Sequence, residues 1–124
     1  MIVAGFGCRP GCRASEIIAL LRRAEALAGE SASVLAAPDF RVGEHGLQEA
    51  ATRLRLPLRW PGHAVLLQVQ PRCVTRSERA RRETGLASVA EACALALAGP
   101  RGALVLPRIA SRHATCALAR TAPL

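Results

Sequence analysis

The sequence predicts a single-domain α/β/α sandwich, with helices layered on both faces of a small mixed sheet. Three observations point there. Short apolar runs of strand length alternate with longer runs whose apolar residues recur at helical spacing. A glycine-rich turn joins the first apolar run to the first helix, as at a βα junction. The chain has 124 residues, 51% of them hydrophobic, enough to close one core and one domain spanning 1–124.

Ile2-Val3-Ala4-Gly5-Phe6-Gly7 is a buried strand running into the turn Gly7–Arg13. Ile17, Leu20, Leu21, Ala24, Leu27 and Ala28 then share a helical face; Ser15 serves as cap, Glu16 suits the positive end of the dipole and Gly29 stops the helix. Ser33–Ala37 is a second strand, stopped by Pro38. Asp39–Gly43 leads into a helix with Leu47, Ala50, Ala51 and Leu54 on its inner face. Leu58-Arg59-Trp60 is a third strand, whereas His63–Val69 fits either a strand or a short helix. Ser77–Glu83 is a charged helical turn closed by Gly85. Ser88-Val89-Ala90-Glu91 fits a capping box, in which the two side chains satisfy each other's backbone N–H groups, opening a helix through Ala98. That helix is apolar nearly all round and is expected to be buried. Ala103–Leu106 is expected as a central strand and Thr115–Ala119 as the last one. No repeat, low-complexity tract or interdomain linker interrupts the series.

The positive charge is all guanidinium: 17 arginines and no lysine, against 9 acids, for a net charge of +8. The Ala and Arg enrichment matches a GC-rich codon bias, but the net charge still draws anions, whether nucleic acid, lipid headgroups or a small polyanion. No apolar stretch approaches the roughly twenty residues a membrane helix needs. The first residues lack the basic start and long apolar segment of a secretory signal, which predicts a cytoplasmic protein. Five cysteines without a Cys-x-x-Cys pair predict free thiols rather than a disulfide framework.

Several constellations bear on chemistry. The loop around Gly7, Cys8, Arg9 and Gly11 offers backbone N–H groups and a helix N-terminus to an anion, although it lacks the glycine pattern of a dinucleotide site and the Gly-Lys-Ser/Thr of a P-loop. Cys8 and Cys12 with His45, His63 and His113 match no zinc module, so no metal is expected. Asp39, Glu44 and His45 lie where a strand gives way to a helix, a place where α/β sheets bind ligands, and are the candidates for general acid or base work if the protein is an enzyme. Arg72, Arg76, Arg79, Arg81 and Arg82 form the densest positive region. With only Phe6, Phe40 and Trp60 in the chain, platforms for stacking bases are scarce, and a nucleic-acid partner is disfavoured against a solvated helix face.

The order of segments is distinctive: Gly5-Phe6-Gly7-Cys8-Arg9 before a Ser-Glu-Ile helix start, Asp39-Phe40-Arg41 through Glu44-x-Gly46-Leu47, Leu56-Pro57-Leu58, Thr75-Arg76-Ser77, Gly85-x-x-Ser88-Val89-Ala90-Glu91-Ala92, then Leu106-Pro107-Arg108 and Thr115. Together they resemble the CobE / CbiG C-terminal domain family of cobalamin (vitamin B12) biosynthesis, over nearly the full chain. Three positions depart from that family's pattern. Ala37 and Arg41 occupy positions where Thr and Lys are common, and Arg108 one where Lys is common. Lysine-based proton transfer or a Schiff base is thereby excluded, while anion binding survives and gains a bidentate fork.

The resemblance implies a corrinoid or precorrin intermediate as partner, a flat macrocycle fringed with carboxylates that arginines can grip through paired charge-assisted hydrogen bonds. It implies a carrier or accessory role of the CobE type, without cofactor or membrane and alongside other cobalamin-pathway enzymes. The alternative is turnover of a precorrin, such as the lactone opening associated with whole CbiG. The expected ligand contacts are Gly7, Cys8, Arg9, Gly11, Arg41, Thr75, Ser77, Ser88 and Arg108.

Overall fold

The computed structural model describes residues 1–123. Its sheet has five strands in the order β3-β2-β1-β5-β4, where β1 is Ile2–Cys8, β2 Val34–Ala36, β3 Leu58–Arg59, β4 Ala103–Ala110 and β5 Ala114–Arg120. The first three run parallel; β5 is antiparallel to both β1 and β4, so the sheet is mixed as expected. β1 is central, and the alternation of a strand sends its side chains to both layers. Ile2, Ala4 and Phe6 pack under α1 (Ala14–Ala28) and α2 (His45–Leu54), against Ile17, Leu21 and Leu47. Val3 packs on the other face with α3 (His63–Gln68) and α5 (Val89–Ala98), through Leu66, Cys93 and Leu95. α4 (Glu78–Thr84) buries no residue and lies outside both layers. Among the described residues no helix is long and apolar enough to cross a membrane.

α5 is buried because it lies directly on β1. A Cβ at Gly5 would fall on the Ala90 carbonyl oxygen and 2.5 Å from the Ala94 amide nitrogen, so only a residue without a side chain lets the two backbones meet. The small Ala and Cys residues of α5 serve the same close approach.

Three local expectations are corrected and one open alternative is settled. Ala103–Leu106 belongs to an eight-residue strand at the edge of the sheet, not its centre, with register shifts on both sides of Leu106; Pro107, which has no N–H to give, is tolerated at such an edge. Ser15 is not the cap of α1. The turn closed by Cys12 N–H on the Arg9 carbonyl (3.1 Å) starts the helix earlier, with Arg13 at the cap and no side chain serving it. His63–Gln68 is helical, its first turn closed by Leu66 N–H on Gly62 O. The capping box at Ser88 is half formed: its hydroxyl accepts from Glu91 N–H at 3.4 Å, but the Glu91 carboxylate turns elsewhere.

Candidate ligand-binding cleft

A cleft of about 260 Å³ opens where β1 ends, β5 begins and the chain leaves β2 through Pro38. This is the carboxyl edge of the parallel strands, where open α/β sheets present ligand sites. Gly7, Cys8 and Arg9 form one wall. Phe40 and Arg41 come from the 3-10 turn Asp39–Arg41, Ser77 and Arg79 from the start of α4, Arg108 from β4, and Arg112 and His113 from the hairpin between β4 and β5. Five arginines thus border the cleft against one acid, Glu83, which already accepts from Arg79 Nε at 3.1 Å.

The wall is held by backbone and side chain together. Arg9 N–H donates to the His113 carbonyl at 2.9 Å, tying the glycine-rich loop to the hairpin. Arg41 donates from Nε to the Cys8 carbonyl at 2.9 Å, and its guanidinium carbon sits 5.1 Å from the centre of the Phe40 ring, so its position is fixed by a hydrogen bond and by a cation–π contact. Among the described residues no hydrogen bond or ion pair engages the guanidinium groups of Arg9, Arg108 and Arg112. These three are free to meet an anion.

Two glutamates fix the surroundings. Glu16 accepts from the Ser111 hydroxyl, from His113 N–H at 2.7 Å and from His113 Nδ1 at 2.9 Å, clamping the hairpin to the start of α1. Those hydrogen bonds, that from Ser111 first, hold its carboxyl down at about 2. An ionised carboxylate only accepts, so Nδ1 carries a proton and the other ring nitrogen of His113 is left for further bonding. Glu91 is fully buried. It accepts from Val74 N–H and Thr75 N–H (both 2.9 Å), from the Thr75 hydroxyl (2.6 Å) and from Arg108 N–H (3.0 Å). Burial alone would raise its carboxyl; the bonds from Arg108, Thr75 and Val74 outweigh burial and lower it.

Of the residues singled out in the sequence, Gly7, Cys8, Arg9, Arg41, Ser77 and Arg108 line the cleft. Ser77 also caps α4, accepting from Ala80 N–H at 3.2 Å. Gly11, Thr75 and Ser88 do not line it: Gly11 N–H is bound to Glu44 at 2.9 Å, Thr75 is engaged by Glu91 and Ser88 is buried as a cap. Asp39, Glu44 and His45 stand outside the lining as well, with Asp39 and His45 exposed. Arg79, assigned to a solvated face, reaches the rim, and the same run of arginines disperses: Arg72 binds the Gly99 and Gly102 carbonyls at 3.0 and 2.7 Å, while Arg81 and Arg82 remain in solvent. Arg112 and His113 were missed. Ser111–His113 carries no motif, and only the hairpin brings it beside β1. Among the described residues no group of three or more His, Cys, Asp or Glu side chains converges as a metal centre requires, and all five cysteines are free.

Residues 2–119 match the family model described as cobalamin synthesis G C-terminus. Protein CobE from Sinorhizobium sp. is 36% identical over 126 residues, covering 99% of this chain and 82% of that protein. The crystal structure of CobE, a protein from the cobalamin (vitamin B12) biosynthetic pathway, superposes with a TM-score of 0.91 at 42% identity, over 97% of this chain and 89% of the other. The cobalamin biosynthesis protein chiG from Agrobacterium tumefaciens superposes with a TM-score of 0.82 at 37% identity, over 99% of this chain and 100% of the other.

Proposed function

The chain belongs to the cobalamin synthesis G C-terminus family and is a cobalamin-biosynthesis protein, and on that premise we propose that it binds an anionic corrinoid precursor at the cleft beside Gly7–Arg9 and hands it on. The observation that carries this reading is the imbalance of charge: five arginines and one already paired acid around one cleft. A precorrin presents several acetate and propionate carboxylates along its rim, and each guanidinium can fork onto one of them. Arg9, Arg79 and Arg112 are exposed and Arg41 and Arg108 half-buried, so the attraction is screened by salt.

Size supports a carrier. A cavity of about 260 Å³ falls below the ~300–1,000 Å³ that usually enclose even a drug-sized ligand. A macrocycle therefore rests one edge in the cleft and leaves the rest of its face uncovered, where a following enzyme of the pathway, in the cytoplasm, can take it. Turnover of the precorrin by Asp39, Glu44 or His45 has less support, because Asp39 and His45 lie off the lining and Glu44 holds the loop at Gly11.

The test is titration of the purified protein with corrin precursors, followed by visible spectrum and gel filtration. A spectral shift with co-migration is expected, weakened at least about tenfold by a double Arg9→Ala, Arg112→Ala substitution, since each lost charge-assisted pair removes about 1.5 kcal/mol or more. No spectral change and no co-migration would overturn the reading. Turnover lost on Glu44→Gln would favour the enzyme.

A further inference from the structure

Among the described residues His113 is the only imidazole lining the cleft, and its side chain is 45% exposed. Its ring is nonetheless fixed. The Glu16 carboxylate accepts from Nδ1 at 2.9 Å and from the same residue's backbone N–H at 2.7 Å, and the Ser111 hydroxyl holds that carboxylate in turn. Arg9 N–H on the His113 carbonyl ties the residue to the opposite wall. Because Nδ1 carries its proton against Glu16, the lone pair of the neutral ring sits on Nε2, at the edge turned away from the carboxylate. A carboxylate behind one ring nitrogen is how proteins orient an imidazole that ligates a metal through the other, and it makes that nitrogen a stronger donor. Among the described residues no three His, Cys, Asp or Glu side chains converge, so His113 has one bond to offer and no companions with which to hold a free ion. One nitrogen suffices only for a metal whose other positions are already filled. A tetrapyrrole does this, giving its metal four ring nitrogens and leaving the axial positions open to a side chain such as histidine. The guanidinium groups of Arg9, Arg108 and Arg112 border the same cleft and are not engaged by any other group among the described residues, so rim carboxylates and a central metal find complementary partners in one place.

We propose that His113 is an axial ligand, its Nε2 coordinating the metal of a metal-bearing tetrapyrrole whose rim carboxylates are held by the arginines of the cleft. The Nε2 lone pair forms the metal–nitrogen bond, an axial water leaves where one is bound, and no electron or proton is transferred. On the reading of the cleft as a site for an anionic tetrapyrrole, on which this assignment rests, the protein separates two ligands of identical rim: the arginines hold either, and His113 favours the one that carries a metal. A partly exposed position suits a ligand seated by one edge, whose centre stays outside the cleft.

The experiment titrates the full chain with uroporphyrin, a porphyrin fringed with acetate and propionate groups, in its metal-free and zinc forms, and follows affinity and the main visible absorption band. The zinc form is expected to bind at least about tenfold tighter than the metal-free form, with its band moved to longer wavelength as an axial nitrogen enters. His113→Ala keeps both backbone bonds of the residue and is expected to bind the two forms alike and to leave the zinc band where it lies without an axial nitrogen. Should that variant not fold, the cobalt(II) form bound to wild type decides: its electron paramagnetic resonance is expected to be split by one axial nitrogen, and the splitting pattern to change when the protein's histidines carry nitrogen-15. Equal binding of the two forms by wild type, a preference that survives His113→Ala, or a cobalt(II) spectrum without nitrogen splitting would each overturn the assignment while leaving the anion-binding reading intact. Binding of neither form would overturn both.

Discussion

Glu91 satisfies four donors from two segments far apart in the chain, and among the described residues no ion pair engages it. Glu91→Ala would leave those buried donors unpaired, and since one orphaned group costs about 1–3 kcal/mol, a loss of about 3 kcal/mol is expected in denaturant unfolding. Glu16 makes a prediction in pH. Its folded value of about 2 lies below the ordinary 4.5, so its stabilising contribution is complete above 4.5 and disappears as the pH falls through about 2. The stability difference between wild type and Glu16→Gln should therefore shrink across that window; a difference independent of pH would contradict the clamp. Single residues were legible only where their partners are near in sequence. Ser88 announced its cap, but the spacing Ser-x-x-Glu cannot reveal that Glu91 leaves the box for Thr75 and Arg108, each more than fifteen positions away. Likewise Glu16 suited the helix dipole, while its bond to His113 depends on a hairpin 97 positions on.

At the scale of elements, alternation and helical spacing located the strands and helices that carry a continuous apolar face. They were least informative where tertiary position decides: β4 has an apolar start suited to a central strand, yet it pairs on one side only and its register shifts on both sides of Leu106. His63–Gln68 is too short for either periodicity to prevail, and its burial of Leu66 against α5 settles it as a helix. The seat of α5 on β1 gives the sharpest test. Gly5→Ala places a methyl on the Ala90 carbonyl and must push the helix off the sheet, costing about 3 kcal/mol or more by overpacking, visible as a lowered melting temperature. Gly11→Ala meets no neighbouring atom and is strained only by its φ of +80°, so its cost should be nearer 1 kcal/mol.

For the whole molecule, a net charge of +8 says that anions are favoured but not where they bind. The fold brings Arg9, Arg41, Arg79, Arg108 and Arg112, distant in sequence, to one end of the sheet, at the cleft proposed to take the anion. Six of the nine residues expected from the sequence to meet a ligand line that cleft, because the family segments that carry them flank strand ends; the hairpin residues were invisible because no local pattern marks them. The most direct measurement is amide chemical-shift mapping of the labelled protein titrated with a corrin polycarboxylate. Saturable shifts confined to Gly7–Arg9, Arg41 and Ser111–Thr115, fading as salt is added, are expected. No shifts at all, or shifts gathered instead around the Trp60 and Leu97 cavity at the opposite side of the sheet edge, would contradict it.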